Sequence, residues 1–107
     1  MLIYKICSNT VWEEIRLLTS WAGSPDDVRD GFIHFSTKEQ LAGTLQKHYA
    51  GQTDLMLLSI PAETLGDALK WEPSRGGELF PHLYEPLTIA LIVSSKELEP
   101  DNADECH

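Results

Sequence analysis

The sequence lacks the features that mark several large classes of protein. It has only two cysteines, Cys7 and Cys106, which are too few for a disulfide framework. No apolar run approaches the roughly 20 residues that a membrane-spanning helix needs. The first residues show neither the basic region nor the small-residue cleavage site of a secretory signal. We therefore expect a cytoplasmic protein with no membrane partner.

Basic side chains are scarce as well. Eight Lys and Arg residues stand against seventeen Asp and Glu residues, which gives a net charge of −9. Residues 1–96 hold all eight bases and twelve of the acids, so their net charge is −4. Binding to long DNA or RNA depends on a positive surface, and we exclude that class of partner. A small phosphate-bearing ligand remains compatible with this charge.

Several motifs of catalysis and metal binding are also missing. There is no Gly-rich phosphate loop ending in Lys-Ser or Lys-Thr, and no Gly-x-Ser-x-Gly. His34, His48 and His82 are not spaced like metal ligands, and Cys106 with His107 would supply only two ligands at the end of the chain. We therefore predict no metal site.

The elements that are present predict a single small α+β domain with a mixed or antiparallel sheet and two or three helices. Helices are expected to begin at capping boxes led by Thr10 and Ser36, and at Ser24, where Pro25 suits the first helical position. A stripe of Leu41, Leu45 and Tyr49 would face the core. Strands are expected at residues 2–7, 32–35, 54–60, 69–72 and 87–93. The domain would span residues 1–95, followed by an acidic tail, residues 96–107, that we expect to be disordered.

Residues 71–84, WEPSRGGELFPHLY, mix aromatic, charged and glycine residues with no helix or strand period, which predicts a shaped loop between two strands. Glu72 and His82 can move protons, and the Arg75 guanidinium suits phosphate or carboxylate. Gly76 and Gly77 let a backbone approach a ligand closely. The alternatives are structural: an ion pair of Arg75 with a neighbouring glutamate, a histidine that locks the loop, and aromatic side chains that cap the core.

His34 is the second candidate centre. It ends a short strand just before a predicted helix N-terminus, where backbone N–H groups favour an anion. With the Ser36 hydroxyl it would hold a phosphate or a ribose. The alternative is a histidine that is hydrogen-bonded to the chain, beside a serine that only caps the helix.

Two motifs together resemble a family of small bacterial proteins. They are residues 31–37, GFIHFST, followed by Gln40 and Thr44, and residues 71–77, WEPSRGG, followed by residues 80–84, FPHLY. The combination is similar to the family called domain of unknown function 952, over about residues 3–93. That family usually has Leu where this chain has Phe35, and it often has Gly where this chain has Glu85. In this chain, the glutamate adds a negative charge beside Tyr84.

The resemblance implies an architecture like that of ADP-ribosyltransferases and tRNA 2′-phosphotransferases, with NAD or a related nucleotide as ligand. If the protein is an enzyme, the analogy with those enzymes makes transfer or hydrolysis at a ribose the expected reaction. His34 and Ser36 would then orient ribose hydroxyls, and Arg75 would neutralise a phosphate. Glu72 would stabilise positive charge on the ribose. Trp71 or Tyr84 would stack on the base.

The predicted site has two groups of residues. Catalytic roles are expected for His34, Glu72 and His82. Ligand contacts are expected from Ser36, Thr37, Trp71, Ser74, Arg75, Gly76, Gly77, Phe80 and Tyr84. The alternative function is a non-catalytic module that binds a metabolite or a protein through the same surface, and the expected oligomeric state is a monomer or a weak homodimer.

Overall fold

Two three-stranded antiparallel sheets frame the computed structural model, which describes residues 1–98 except for the side chain of Arg75. The strands in this part of the chain are β1 Leu2–Ser8, β2 Ser20–Trp21, β3 Ile33–His34, β4 Leu55–Pro61, β5 Leu69–Pro73, β6 Leu79–Leu83, β7 Leu87–Thr88 and β8 Ser94–Leu98. The α-helices are α1 Asn9–Ile15, α2 Pro25–Asp30 and α3 Leu41–His48, and short 3-10 helices lie at Ala62–Ala68, Arg75–Gly77 and Ile89–Leu91. The structure confirms a small α+β domain with antiparallel sheets.

The two sheets meet at one point beside β1. The first sheet has the order β1-β4-β8, the second has the order β3-β6-β5, and β2 pairs with β7 in a separate two-stranded ribbon. Just after β3, the N–H groups of Tyr4 and Ser36 each donate to the other residue's carbonyl, at 2.8 and 2.9 Å. This bridge brings Lys5 of β1 next to His34 of β3.

The first two helices begin at serines. Ser8, not Thr10, caps α1, because its hydroxyl accepts a hydrogen bond from the N–H of Val11 at 3.1 Å. The helix has seven residues, and it begins directly after β1, whose last residue is Ser8. The prediction for α2 is confirmed: Ser24 and Asp27 form a reciprocal capping box, and Pro25 occupies the first helical position.

The third helix begins later than predicted. Ser36 cannot cap it, because the Ser36 backbone pairs with Tyr4 and its hydroxyl lies 2.9 Å from the hydroxyl of Thr44. The helix starts at Leu41 with no side-chain cap. Its predicted apolar stripe is confirmed, since Leu45 is buried in a small cluster with Ile6 and Leu55, against which Leu41 and Tyr49 pack.

The C-terminal third differs most from expectation. The segment 71–84 is a strand hairpin: β5 ends at Pro73, a 3-10 turn follows, and β6 occupies residues 79–83. The predicted strand at 87–93 is wrong, because residues 87–88 pair with β2 and residues 89–91 form a 3-10 turn. The last strand, β8, pairs with β4 and includes residues 96–98, so the predicted tail is wrong for these three residues. Residues 99–107, with Cys106 and His107, lie outside the described residues.

The main core lies between the sheets and α1. It is built from buried aliphatic residues, among them Ile3, Leu58, Ile60, Leu83 and Leu87, each with no exposed surface. Full burial stabilises each such side chain by about 1.5–3 kcal/mol. Among the helices of residues 1–98, none has the length and hydropathy to cross a membrane.

Candidate functional site

A cleft of about 310 Å³ opens where the two sheets meet. Its lining includes residues 4–6 of β1, Ser24 with four residues of α2, and residues 34–36. Thr44 and His48 of α3 and the following Tyr49 also line it, as do Ser74, Phe80 and His82. Most of these side chains carry a hydroxyl, a carboxylate or an imidazole, so the cleft is polar although the core below it is aliphatic.

A buried ion pair supports the base of the cleft. The ammonium of Lys5 lies 2.7 Å from Oδ2 of Asp27, and the two side chains are only 7% and 1% exposed. Burial lowers the pKa of Lys5, and the charge of Asp27 opposes that shift only in part. Burial alone would raise the pKa of Asp27, but the hydrogen bond from His34 and the charge of Lys5 outweigh it and hold that pKa well below its usual range.

His34 lies between two carboxylates of α2. Its Nδ1 is 2.6 Å from Oδ1 of Asp27, and its Nε2 is 3.1 Å from Oδ2 of Asp30. The backbone N–H of His34 also donates to Asp27, and its carbonyl accepts from Lys5 at 2.9 Å. Because a carboxylate only accepts hydrogen bonds, Nδ1 of His34 carries the hydrogen that it donates to Asp27.

A hydrogen bond to Glu72 holds the ring of His82. These residues occupy diagonal positions on the β5–β6 pair, and the Nδ1 of His82 lies 2.9 Å from Oε1 of Glu72. The same oxygen accepts from the Tyr84 hydroxyl at 2.7 Å. The hydrogen bonds from Tyr84 and His82 lower the pKa of Glu72, and the bond to Glu72 raises the pKa of Tyr84. Glu72 is therefore an ionised acceptor that holds the His82 ring with hydrogen on Nδ1.

The two histidines stand side by side. His34 and His82 are directly paired between β3 and β6, so their side chains project from the same face. Their ring centroids are 5.4 Å apart in an edge-to-face arrangement. Phe32 stacks on His82 with centroids 4.1 Å apart and also contacts His34 and Tyr84. These ring contacts limit the freedom of both imidazoles.

The structure brings five of the predicted site residues into the cleft. They are His34, Ser36, Ser74, Phe80 and His82. Glu72 contacts His82 but does not line the cleft, and Tyr84 instead lines a smaller pocket of about 270 Å³ with Phe32.

Four other predicted ligand residues lie outside both pockets, and one is not described. Thr37 is occupied locally, because its hydroxyl accepts the N–H of Gln40 and its own N–H donates to the Gln40 side chain. Trp71 is 39% exposed, and Gly76 and Gly77 form an exposed turn. The side chain of Arg75 lies outside the described residues.

Sequence reasoning missed several contributors to the cleft, among them Lys5, the acids of α2 and Thr44. Lys5 interrupts an otherwise buried strand, which is a visible signal, since a buried lysine needs an anionic partner. Asp27 suggests from the sequence only an acid that favours the positive N-terminus of a helix. Thr44 received no role of its own, although its hydroxyl pairs with Ser36 inside the cleft. Among the described residues, no group of three or more His, Cys, Asp or Glu side chains is arranged to hold a metal ion.

Comparison with known proteins identifies relatives of the same architecture. The crystal structure of protein CC0527 from Caulobacter crescentus is 45% identical, with 92% of this chain and 87% of that chain covered and a TM-score of 0.88. The solution NMR structure of the same protein is 43% identical, covers 97% and 95% of the two chains, and has a TM-score of 0.85.

The comparisons also settle the family. No curated protein is detectably similar to this chain. A family model described as "Protein of unknown function (DUF952)" matches residues 6–95. This match takes in both histidines, the carboxylates that hold them and every helix described above. The chain therefore belongs to the DUF952 family.

Proposed function

We propose that the cleft binds a small molecule with a ribose or a similar hydroxyl-rich part, and that His82 exchanges a proton with it. The observation that carries this proposal is the pair of histidines on one face, each held at Nδ1 by a carboxylate, within a polar cleft. A carboxylate that fixes the ring orientation and tautomer is a recurrent support for a histidine that acts as acid or base.

His82 is the better candidate for proton transfer. Its side chain is 5% exposed, and hydrogen on Nδ1 directed at Glu72 leaves Nε2 as the acceptor nitrogen. A base must reach a ligand hydroxyl within about 2.6–3.2 Å, directly or through one water. His82 lines the cleft, so a ligand hydroxyl seated there can approach the ring.

The lining favours hydroxyl groups on the ligand. Ser36, Thr44 and Ser74 provide hydroxyls that both donate and accept, and Asp26 and Asp30 accept hydrogen bonds from sugar hydroxyls. The charge of Lys5 is already matched by Asp27, so it does not supply a strong phosphate site. The volume is at the lower end of the range of about 300–1,000 Å³ for small-molecule sites, which suits one nucleoside-sized part better than a whole dinucleotide.

NAD and ADP-ribose are the ligands to test first, because the resemblance to the architecture of ADP-ribosyltransferases implies a ribose-centred reaction. Under this proposal the role of Glu72 changes. Its contacts with His82 and Tyr84 support a role in positioning the base, not one in stabilising a positively charged ribose. Asp27 is paired with Lys5, so Asp26 and Asp30, which also line the cleft, are the carboxylates that would meet such a charge.

A non-catalytic binding module is the second candidate. The observation that favours it is the state of His34, whose two ring nitrogens both contact carboxylates of its own chain. A histidine held in this way stabilises a binding surface without carrying protons to a ligand.

Binding is tested by thermal denaturation of the protein with NAD, ADP-ribose, adenosine and ribose 5-phosphate. A ligand at about 100 times its Kd adds about 2.7 kcal/mol, and 1 kcal/mol shifts the Tm of a domain of this size by about 4–8 °C. We expect a shift of about 10 °C or more with at least one ribose-bearing ligand. A folded protein whose Tm none of them changes would refute the ribose-binding proposal.

Catalysis is tested separately, by chromatography of the products formed from each ligand that binds. We expect His82→Gln to retain binding and to lose about 10²–10⁴-fold in turnover, which is the usual contribution of a general acid or base. Glu72→Gln should lower turnover in the same direction, whereas Glu97→Gln, on the exposed face of β8, should not. Binding without turnover in the unsubstituted protein would select the second candidate.

A further inference from the structure

We propose that the chain forms a twofold-symmetric dimer, in which the outer strand β5 pairs with β5 of a second copy. The two second sheets, each with the order β3-β6-β5, then join into one sheet of six strands. The interface stands whether or not the cleft binds a ribose compound, so it does not rest on the proposed function.

The strand β5 has a free edge. Among residues 1–98 it is the outer strand of its sheet, and its only paired neighbour there is β6. Hydrogen-bonded positions alternate along an antiparallel pair. The N–H of Ser74 donates to the carbonyl of Glu78, and the N–H of Tyr84 donates to the carbonyl of Ala68, both at 2.9 Å. The even-numbered residues of β5 therefore direct their backbone groups towards β6, and the odd-numbered residues direct theirs outwards.

Trp71 is the residue best placed to pair across that edge. Its N–H and its carbonyl both face outwards, whereas Pro73 has no N–H and the N–H of Leu69 donates to the carbonyl of Gly66. An antiparallel strand added at this edge can exchange two hydrogen bonds with Trp71. The occupant must therefore fit a short hydrogen-bonding edge that has a tryptophan at its centre.

The charges of β5 select a second copy of the chain as that occupant, in one register. When Trp71 lies opposite Trp71 of the partner subunit, Lys70 lies opposite Glu72 of the partner subunit and Glu72 lies opposite Lys70 of the partner subunit. Residues directly opposite have Cβ atoms about 4.5–5.5 Å apart, so these charges attract at close range.

The neighbouring registers are disfavoured. The strands must slide by two residues to keep their outward-facing backbone groups opposed. One such shift places Lys70 opposite Lys70 of the partner subunit, and the other places Glu72 opposite Glu72 of the partner subunit. Like charges directly opposite are destabilising. Of these three registers, only the one centred on Trp71 matches opposite charges.

The other face of the paired strands is apolar. Side chains alternate between faces, so Leu69, Trp71 and Pro73 share one face, away from the charged side chains of β5. Trp71 is 39% exposed, and Leu79, which lies opposite Pro73 on β6, is 52% exposed. In the dimer, Trp71 packs beside Trp71 of the partner subunit and Leu69 lies opposite Pro73 of the partner subunit. Removal of this apolar surface from water favours association.

Glu72 links the interface to the cleft. Its Oε1 accepts hydrogen bonds from His82 and Tyr84, and its side chain is 38% exposed. The ammonium of Lys70 of the partner subunit approaches the same carboxylate. The dimer therefore adds a cation beside the group that holds the ring of His82, and we expect the NMR ring signals of His82 and Tyr84 to shift with protein concentration.

The test is sedimentation equilibrium at about 0.15 M salt, where repulsion between two acidic copies is screened beyond about 8 Å. A short edge with two backbone hydrogen bonds belongs to the weak class of interfaces, so we expect a Kd of about 10–100 µM. Over the same concentrations the indole NMR signal of Trp71 should shift. The signals of Trp12 and Trp21, which pack against the main core, should not.

Charges introduced at position 71 test the twofold register. Trp71→Lys and Trp71→Glu should each raise the Kd more than about tenfold, because each removes an apolar contact and places like charges directly opposite. An equimolar mixture of the two variants should associate at least about threefold more tightly than either alone, since lysine then faces glutamate. A register in which residue 71 does not meet its own copy would not give this rescue.

Lys70→Glu tests the charged pairs and leaves Trp71 in place. It should raise the Kd about tenfold, because glutamate then faces glutamate twice in each dimer. Lys96→Glu is the matched control, since it makes the same change of charge at an exposed position of β8, the outer strand of the other sheet. Its Kd should stay within about twofold of the unsubstituted value. Circular dichroism and dispersed amide NMR signals establish that each variant is folded.

Three results would overturn the proposal. The first is an unsubstituted protein that remains monomeric at about 1 mM, well above the expected Kd. The second is a dimer whose Kd Lys70→Glu leaves unchanged, and this result decides the matter if the Trp71 variants do not fold. The third is a mixture of folded Trp71 variants that associates no better than each variant alone. Loss of ribose binding alters none of these measurements.

Discussion

Replacing Lys5 by methionine should lower the free energy of unfolding by about 3 kcal/mol. Removing one partner of a buried ion pair costs about 3–5 kcal/mol, because the remaining charge is left without compensation. Methionine keeps the apolar stem of the lysine, so little cavity forms. In this variant, Asp27 still accepts hydrogen bonds from the His34 ring and from the N–H groups of His34 and Ser24. The expected cost therefore lies at the lower end of that range.

The assay is urea denaturation followed by tryptophan fluorescence, with the slope m required to stay constant. Lys70→Met, the same substitution on the exposed edge of β5, should stay within about 0.5 kcal/mol of the unsubstituted protein. Asp27→Asn should cost less in the Lys5→Met background than alone, because no ammonium is then left unpaired. A loss below about 1 kcal/mol for Lys5→Met would refute the reasoning, since that is the behaviour of a hydrated surface pair.

The ion pair of Lys5 and Asp27 also determines how the stability of the protein changes at low pH. The pKa of Asp27 lies below its unfolded value, so its contribution to stability is complete above about pH 4 and is lost as the pH falls further. We expect the unsubstituted protein to lose stability below about pH 4. Lys5→Met should lose less over that range, because its Asp27 has a pKa nearer the unfolded value.

Three further outcomes are expected from single sites. Gly23→Ala should destabilise the protein by about 1–3 kcal/mol in thermal denaturation, because its φ is 104° and a Cβ there would lie 2.6 Å from the Cβ of Asp27; a change under about 0.5 kcal/mol would show that the turn relaxes freely. Tyr84→Phe should raise the pKa of Glu72 in a carbon-13 NMR titration, since it removes the strongest hydrogen bond that lowers that pKa, and an unchanged value would mean that the bond is absent in solution. Burial raises the pKa of the Cys7 thiol to about 11, so mass spectrometry after alkylation at pH 8 should find Cys7 unmodified in the native protein, and rapid labelling would contradict its burial.

The parts of the fold that depend on local signals were predictable. The strands β1 and β4, the cap of α2 and the apolar stripe of α3 follow from residue period and capping within a few positions. The sequence does not predict β6, because Pro81 and the preceding glycines are typical of a loop. The strand nevertheless lies in the middle of its sheet, between β3 and β5. Proline can pair there because its carbonyl accepts a hydrogen bond from the N–H of Phe35 at 3.0 Å. Its position is set by pairing with distant strands, which no local pattern records.

The candidate site also combines features that local sequence predicts with features that depend on distant contacts. His34, Ser36 and His82 were recognisable from their chemistry and placement. The partnership of Lys5 with Asp27 was not, because it joins residues far apart in the chain through the bridge between Tyr4 and Ser36. The part played by Glu72 could not be read either, since whether a carboxylate faces a ligand or a histidine depends on the register of two strands.

The facing pair of histidines is a consequence of counting along two strands. Side chains alternate between faces with a period of two, so a register shift of one residue would put His34 and His82 on opposite faces. A single residue inserted or deleted between Phe80 and His82 would turn one imidazole towards the core. The turn at residues 75–77 lies outside the paired strands, so its length does not decide which face His82 occupies. Among members of the family, we therefore expect insertions and deletions in this turn and none within β6.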